Sequence, residues 1–244
     1  MTSVMKVKLS LFTAVSIAAL SISLGGALAA HRDQAAATHV RSKVDRVISA
    51  VPGAVTLYDQ NSDDAGVAVS STYDAYHFQG TWGADDFAVP DGHTWSIFEV
   101  EVSGAYAPGL TPKKDPNLSE QVYFYTDTDD DGLPDHIIRE CDYMKGRDHN
   151  GSFAIRLRDS CPVTLQGGRR YWMSVSAIID TLYYGKWEWE TRSTQSNNPA
   201  VWKTNYGDPD SECDGHYGVM TSCVDIGEGP DFMFALKGQD QVAK

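Results

Sequence analysis

Trp95-Ser-Ile-Phe-Glu-Val-Glu-Val102 places Phe98, Val100 and Val102 on one face and Ile97, Glu99 and Glu101 on the other. That alternation is what a strand with one buried and one polar face requires. The same reading extends to Gln121–Thr126, Ser152–Arg158, Tyr171–Ile178, Lys186–Glu190 and Asp231–Leu236. Turn-forming clusters such as Pro90-Asp91-Gly92, Asp131-Gly132 and Gly167-Gly168 separate these runs. Short strands at this spacing, with almost no helical periodicity, predict an all-β fold, an antiparallel β-sandwich or jelly roll.

Before this region the chain has a different character. Lys6 and Lys8 form a basic start, Leu11–Leu24 is mostly apolar, and Ala27-Leu28-Ala29 is a small-x-small site. Residues 1–30 therefore read as a signal peptide cleaved after Ala29 or Ala30, too short for a membrane anchor. Neither a twin arginine nor a lipid-accepting cysteine accompanies it. Residues 31–54 read as a leader, either a loose segment or a short helix carrying Val40, Val44, Val47 and Ile48. Residues 55–238 then form one domain, and 239–244 a tail.

The expected location is secreted, extracellular or periplasmic. Removing the signal peptide takes away two lysines and no acid, so net charge moves from -13 to -15. Such a chain repels phosphate backbones and anionic lipid, which excludes nucleic acid and membrane surfaces as expected partners. The four cysteines, Cys141, Cys161, Cys213 and Cys223, lack metal-type spacing and suggest disulfides in an oxidising compartment. Of three connectivities, Cys141–Cys161 with Cys213–Cys223 closes short local loops and is the expected one. The second pair falls in Ser193–Pro230, which is rich in Asn, Gly, Asp and Ser and reads as one long, ordered, disulfide-closed loop.

Several motifs together resemble a β-sandwich module common in secreted bacterial proteins. They are Ala84-Asp-Asp-Phe-Ala-Val-Pro90 with Thr94-Trp95, Tyr171-Trp172, Trp187-x-Trp189-x-Thr191-Arg192, Asn198-Pro199-Ala200-x-Trp202 and Gly229-Pro230-Asp231-Phe232-x-Phe234. The resemblance spans Leu57–Gly238. It implies an exported jelly-roll unit, found alone or appended to enzymes such as peptidases, and it implies no activity.

The sharpest chemical signal is Asp127-Thr-Asp129-Asp-Asp131-Gly132-Leu-Pro-Asp135. Calcium takes six to eight oxygens, and loops of the D-x-D-x-D-G type supply them from alternate positions. The expected ligands are Asp127, Asp129, Asp131, the Leu133 carbonyl and Asp135. The segment resembles the calcium loops of thrombospondin type 3 repeats, where Gly usually stands in place of Asp130. It departs from an EF-hand because Ile138 occupies the position of the bidentate Glu. The competing reading is a polar hairpin tip. Asp85 and Asp86, with Asp231, form a second acidic set that could hold a cation or cap strand ends.

The i, i+2 pairs Glu99/Glu101 and Glu188/Glu190 each set two carboxylates on one strand face, as a glycosidase would; the plainer reading is a polar strand face. Trp187 and Trp189 share the opposite face of their strand and are expected in the core. Trp202, in the Asn-rich segment, is the expected ligand contact, with Tyr183 and Tyr184 lining the same end. No G-x-S-x-G, H-E-x-x-H or P-loop is present, and the seven histidines are scattered. The sequence thus points to a non-catalytic binding or adhesion module for a glycan or cell-surface ligand. A carbohydrate-active hydrolase and an accessory domain of an exported peptidase are the alternatives.

Overall fold

The computed structural model describes residues 53–107, 119–157, 159–207, 212–227 and 229–243. The expected signal peptide and nearly all of the expected leader lie outside them. The first strands are β1 (Val55–Asp59), β2 (Asp64–Ser70), β3 (Thr72–Asp74), β4 (Gln79–Val89), β5 (His93–Val102) and β6 (Gly104–Tyr106). Next come β7 (Ser119–Thr126), β8 (Ile137–Met144), β9 (Arg147–His149), β10 (Ser152–Arg156), β11 (Val163–Gln166) and β12 (Arg169–Ile178). One-turn helix α1 (Thr181–Tyr184) leads into β13 (Trp187–Arg192) and β14 (Val201–Thr204). β15 (Gly218–Val219), helix α2 (Met220–Cys223), β16 (Asp231–Phe232) and β17 (Phe234–Val242) complete the chain.

The protein is an all-β sandwich. One sheet runs β1-β17-β5-β10-β9, with β10 and β11 pairing successive halves of β5. The facing sheet runs β15-β14-β4-β3-β12-β7-β8, and β4 also pairs β12 directly. Pairing is antiparallel apart from β3 with β12 and one isolated bridge. In a third, smaller sheet β13 has β2 on one side and β6 then β16 on the other. β13 joins β5 and β17 where their pairing ends: Ser103 N–H still donates to Met233 O at 3.2 Å, while Glu190 N–H donates to Ser103 O and Glu190 O accepts from Met233 N–H, both at 2.9 Å.

The inward residues of these sheets make one core. Phe87 of β4 stacks on Trp95 of β5 at 6.3 Å between centroids, and Trp189 stacks on Phe232 at 4.4 Å. Trp187 and Trp189 are fully buried, as their shared strand face predicts. Each large apolar side chain sealed here contributes about 1.5–3 kcal/mol. Both disulfides have the expected partners, Cys141–Cys161 and Cys213–Cys223.

Two boundaries differ from the sequence reading. β17 continues through Gln239–Val242, which pair with Ser96–His93, so the expected tail extends the sheet. The segment read as one long loop contains β14, β15 and α2, and β14 pairs with β4 from Thr81 to Ala84. Among the described residues no helix is long and apolar enough to cross a membrane.

Candidate functional site

The outward face of the β14-to-β8 sheet carries a second apolar cluster: Ala84, Tyr125, Trp172, Val201 and Tyr217, flanked by Trp82, Tyr123 and Leu133. Two features stand on it, an acidic loop and an aromatic cleft.

The loop joins β7 to β8. Its base is closed by Thr126 N–H to His136 O (3.0 Å) and Asp135 N–H to Thr126 O (2.9 Å). Asp130 (φ 57°) and Gly132 (φ 80°) both take the left-handed conformation, which Gly and Asp tolerate better than most residues. The loop thereby curls until Asp127, Asp129 and Asp135 bring ligand oxygens within 4.8 Å of one another. No other such group of three occurs among the described residues. Asp131 is not one of the three; its Oδ1 accepts from Leu133 N–H at 2.9 Å. The Asp127 side chain is buried; its Oδ1 has no hydrogen-bond partner, while Oδ2 accepts from Trp172 Nε1 at 3.4 Å. Burial pushes the Asp127 carboxyl above its ordinary pKa, partly offset by Trp172 and Arg170. Three carboxylates with oxygens this close, one of them a buried side chain with an unpartnered oxygen, fit a hard divalent cation, calcium above all.

The second acidic set does come together, beside the loop. Asp85 Oδ2 accepts from Gln60 Nε2 and Phe232 N–H, each at 2.7 Å, and its Oδ1 accepts from Asp86 N–H. It therefore ties β4 to β16. Asp86 Oδ2 accepts from Asn198 N–H (3.2 Å) and lies 3.2 Å from Arg170 Nε. Asp231 Oδ2 accepts from Ser196 N–H. Burial pushes Asp86 up to about 7 and Asp231 to about 6. Burial, with repulsion from Asp231, also holds Asp85 well above the usual carboxylate range. These oxygens do not converge as those of the loop do, so the arrangement fits strand-end anchoring better than metal capture. Asn198 links the two sets: a Cβ on Gly132 would sit 3.4 Å from its carboxamide.

The four glutamates are 3 % exposed or less. Glu101 Oε1 accepts from Lys237 Nζ at 2.6 Å, and Glu99 Oε2 lies 3.9 Å from Arg147 and 4.0 Å from Arg156. Carboxylates sealed into a sheet in this way have no open approach for a polysaccharide, contrary to what a glycosidase pair needs.

Trp202 also departs from expectation. It is 4 % exposed and its indole N–H donates to Ser70 O at 2.8 Å, because the Asn-rich segment forms strand β14 here and turns the ring into the core. Tyr183 is 52 % exposed on α1, while Tyr184 packs against the core. The expected trio thus forms no common surface.

The accessible aromatic surface lies elsewhere. A cleft of about 380 Å³ is lined by Tyr73, Trp82, Tyr123, Tyr125, Gln121 and Lys203, among others. Sheet order assembles it, since β14, β4, β3 and β7 each turn alternate residues outward. Phe78, 74 % exposed and in the left-handed conformation (φ 55°), forms part of the rim. Asn205 holds that hairpin, accepting from Gly80 N–H at 2.7 Å and donating to Phe78 O at 3.1 Å.

No protein-family model, curated protein or solved structure matches the chain.

Proposed function

We propose that this protein is an exported, non-catalytic β-sandwich module, loaded with calcium at Asp127, Asp129 and Asp135, that binds a carbohydrate in the cleft of Tyr73, Trp82, Tyr123 and Tyr125. The carrying observation is the cleft: rings from three strands line one open groove, with amide and ammonium groups beside them. Concave sites that combine apolar walls with a few convergent polar groups are where small ligands bind. Aromatic faces pack against the C–H faces of sugar rings, while Gln121, Lys203 and Asn205 can hydrogen-bond hydroxyls. Phe78 adds an exposed apolar ring at the rim that can extend the stacking surface.

The test is retention of the mature protein on insoluble polysaccharides and on a glycan array, in millimolar calcium. Binding to a defined glycan class, lost in Trp82→Ala and Tyr123→Ala but kept in Tyr183→Ala, is the expected outcome. No retention of the wild-type protein on any glycan removes the reading.

A further inference from the structure

The cleft contains one charged side chain. Lys203 of β14 stands opposite Trp82 of β4, with Nζ 5.6 Å from the Trp82 ring centroid and 4.3 Å from that of Tyr217. Among the described residues it has no carboxylate partner. Desolvation is the cause that lowers its pKa. In a chain of net charge -13, an ammonium placed among rings in a binding groove lacks the counter-ion that a partly buried charge calls for.

We propose that the cleft selects an acidic sugar, with a uronate carboxylate paired to Lys203 Nζ while the sugar ring packs on Trp82. This rests on the carbohydrate reading above and names the sugar class. The single ammonium matches the single charge of a uronate ring. Asn205, on the lining, has a second amide N–H beyond the one it donates to Phe78 O and can offer it to the second carboxylate oxygen, whereas the Gln121 amide N–H groups are engaged by Tyr123 Oη and Asp142 Oδ1. The net negative charge opposes a polyanion at long range. Salt screens exposed charges beyond about 8 Å, however, whereas the Lys203 pairing acts at contact in a half-desolvated site.

The experiment compares a uronate oligosaccharide with its carboxyl-reduced, neutral counterpart and with a sulfated oligosaccharide of similar length. Affinities are measured by calorimetry on wild type, Lys203→Met and Lys203→Arg. Carboxyl reduction should weaken wild-type binding by about tenfold or more, the effect of losing one charge-assisted hydrogen bond. Lys203→Met should bind both forms alike, and Lys203→Arg should keep the preference. Equal wild-type affinity for the two forms overturns the assignment and leaves carbohydrate binding standing. Continued discrimination by Lys203→Met overturns it as well, because Lys203 then only packs on the rings. Preference for the sulfated ligand reassigns the anion and also overturns the uronate. If no form binds, the carbohydrate reading fails with it. The wild-type comparison is independent of how well the variants fold.

Discussion

Arg170 Nε lies 3.2 Å from Asp86 Oδ2, and that carboxylate has no solvent-exposed side-chain surface. The same guanidinium reaches the loop, with Nη1 3.2 Å from Asp130 Oδ1. One cation therefore serves both acidic sets. Replacing Arg170 by Met leaves the buried Asp86 carboxylate without its nearby cation, supported by hydrogen bonds such as that from Asn198 N–H. Full burial of both partners would make this cost about 3–5 kcal/mol; since Arg170 is partly exposed, about 2 kcal/mol is expected near neutral pH. The loss should shrink in acid, where Asp86 is protonated, and largely vanish in Asp86→Asn/Arg170→Met. Urea unfolding of the four proteins of this cycle measures it.

A pH dependence follows from Asp86 and Asp231. Burial raises both folded-state pKa values, to about 7 and about 6, above the ordinary carboxylate value. Between roughly pH 4 and pH 7 the folded protein then holds protons that the unfolded chain has released, so stability falls as pH rises through that window. Their contribution is greatest in acid and has reached its floor above about pH 7. Denaturation midpoints across this range should show the decline, and Asp86→Asn should flatten it. A wild-type midpoint that rises steadily with pH would contradict the burial argument.

Calcium should raise the unfolding midpoint, and chelator should reverse the effect. At one hundred times the dissociation constant, linkage gives about 2.7 kcal/mol. Asp129→Ala and Asp127→Asn should lose the response, while Asp131→Asn should keep most of it, because Asp131 serves the turn. Differential scanning calorimetry with and without calcium distinguishes the three.

Gly218 lies against the Cys213–Cys223 bridge: a Cβ there would fall 2.8 Å from Cys213 Sγ and 3.2 Å from Cys223 Sγ. Gly218→Ala should destabilise by about 1–3 kcal/mol through overpacking. The cost should diminish in a Cys213→Ala/Cys223→Ala background, itself lower by about 3 kcal/mol from the lost loop closure. A cost unchanged in that background would place the strain elsewhere.

Period-two patterns carried much of the fold. In β5, Val100 and Val102 face the core as read, but Ile97 joins them there in place of Phe98, because an irregularity opposite Lys237 and Gly238 skips Phe98 and resets the alternation; the Trp187/Trp189 face is buried as read. The glutamates of those strands were harder, because alternation separates two faces without saying whether a second layer seals the polar one. Trp202 was misread because four residues of strand inside an Asn- and Gly-rich stretch leave too short a period to detect. The acidic loop was legible because its ligands are neighbours in sequence. The cleft was not, since Tyr73, Trp82, Tyr123 and Lys203 meet only through sheet order. One local trace existed: in Gln121-Val-Tyr-Phe-Tyr-Thr126 the polar and phenolic residues alternate with Val122 and Phe124, which lie in the core.

That trace has a structural counterpart. Gln121, Tyr123 and Tyr125 face the cleft, and two residues further along the same strand direction stands Asp127, the first carboxylate of the loop. A single-residue insertion in β7 between the cleft residues and the loop would flip the parity of one relative to the other. A deletion upstream would turn both inward at once. The β7 wall of the cleft and the first carboxylate of the loop therefore share one register, and a slip upstream of both displaces them together.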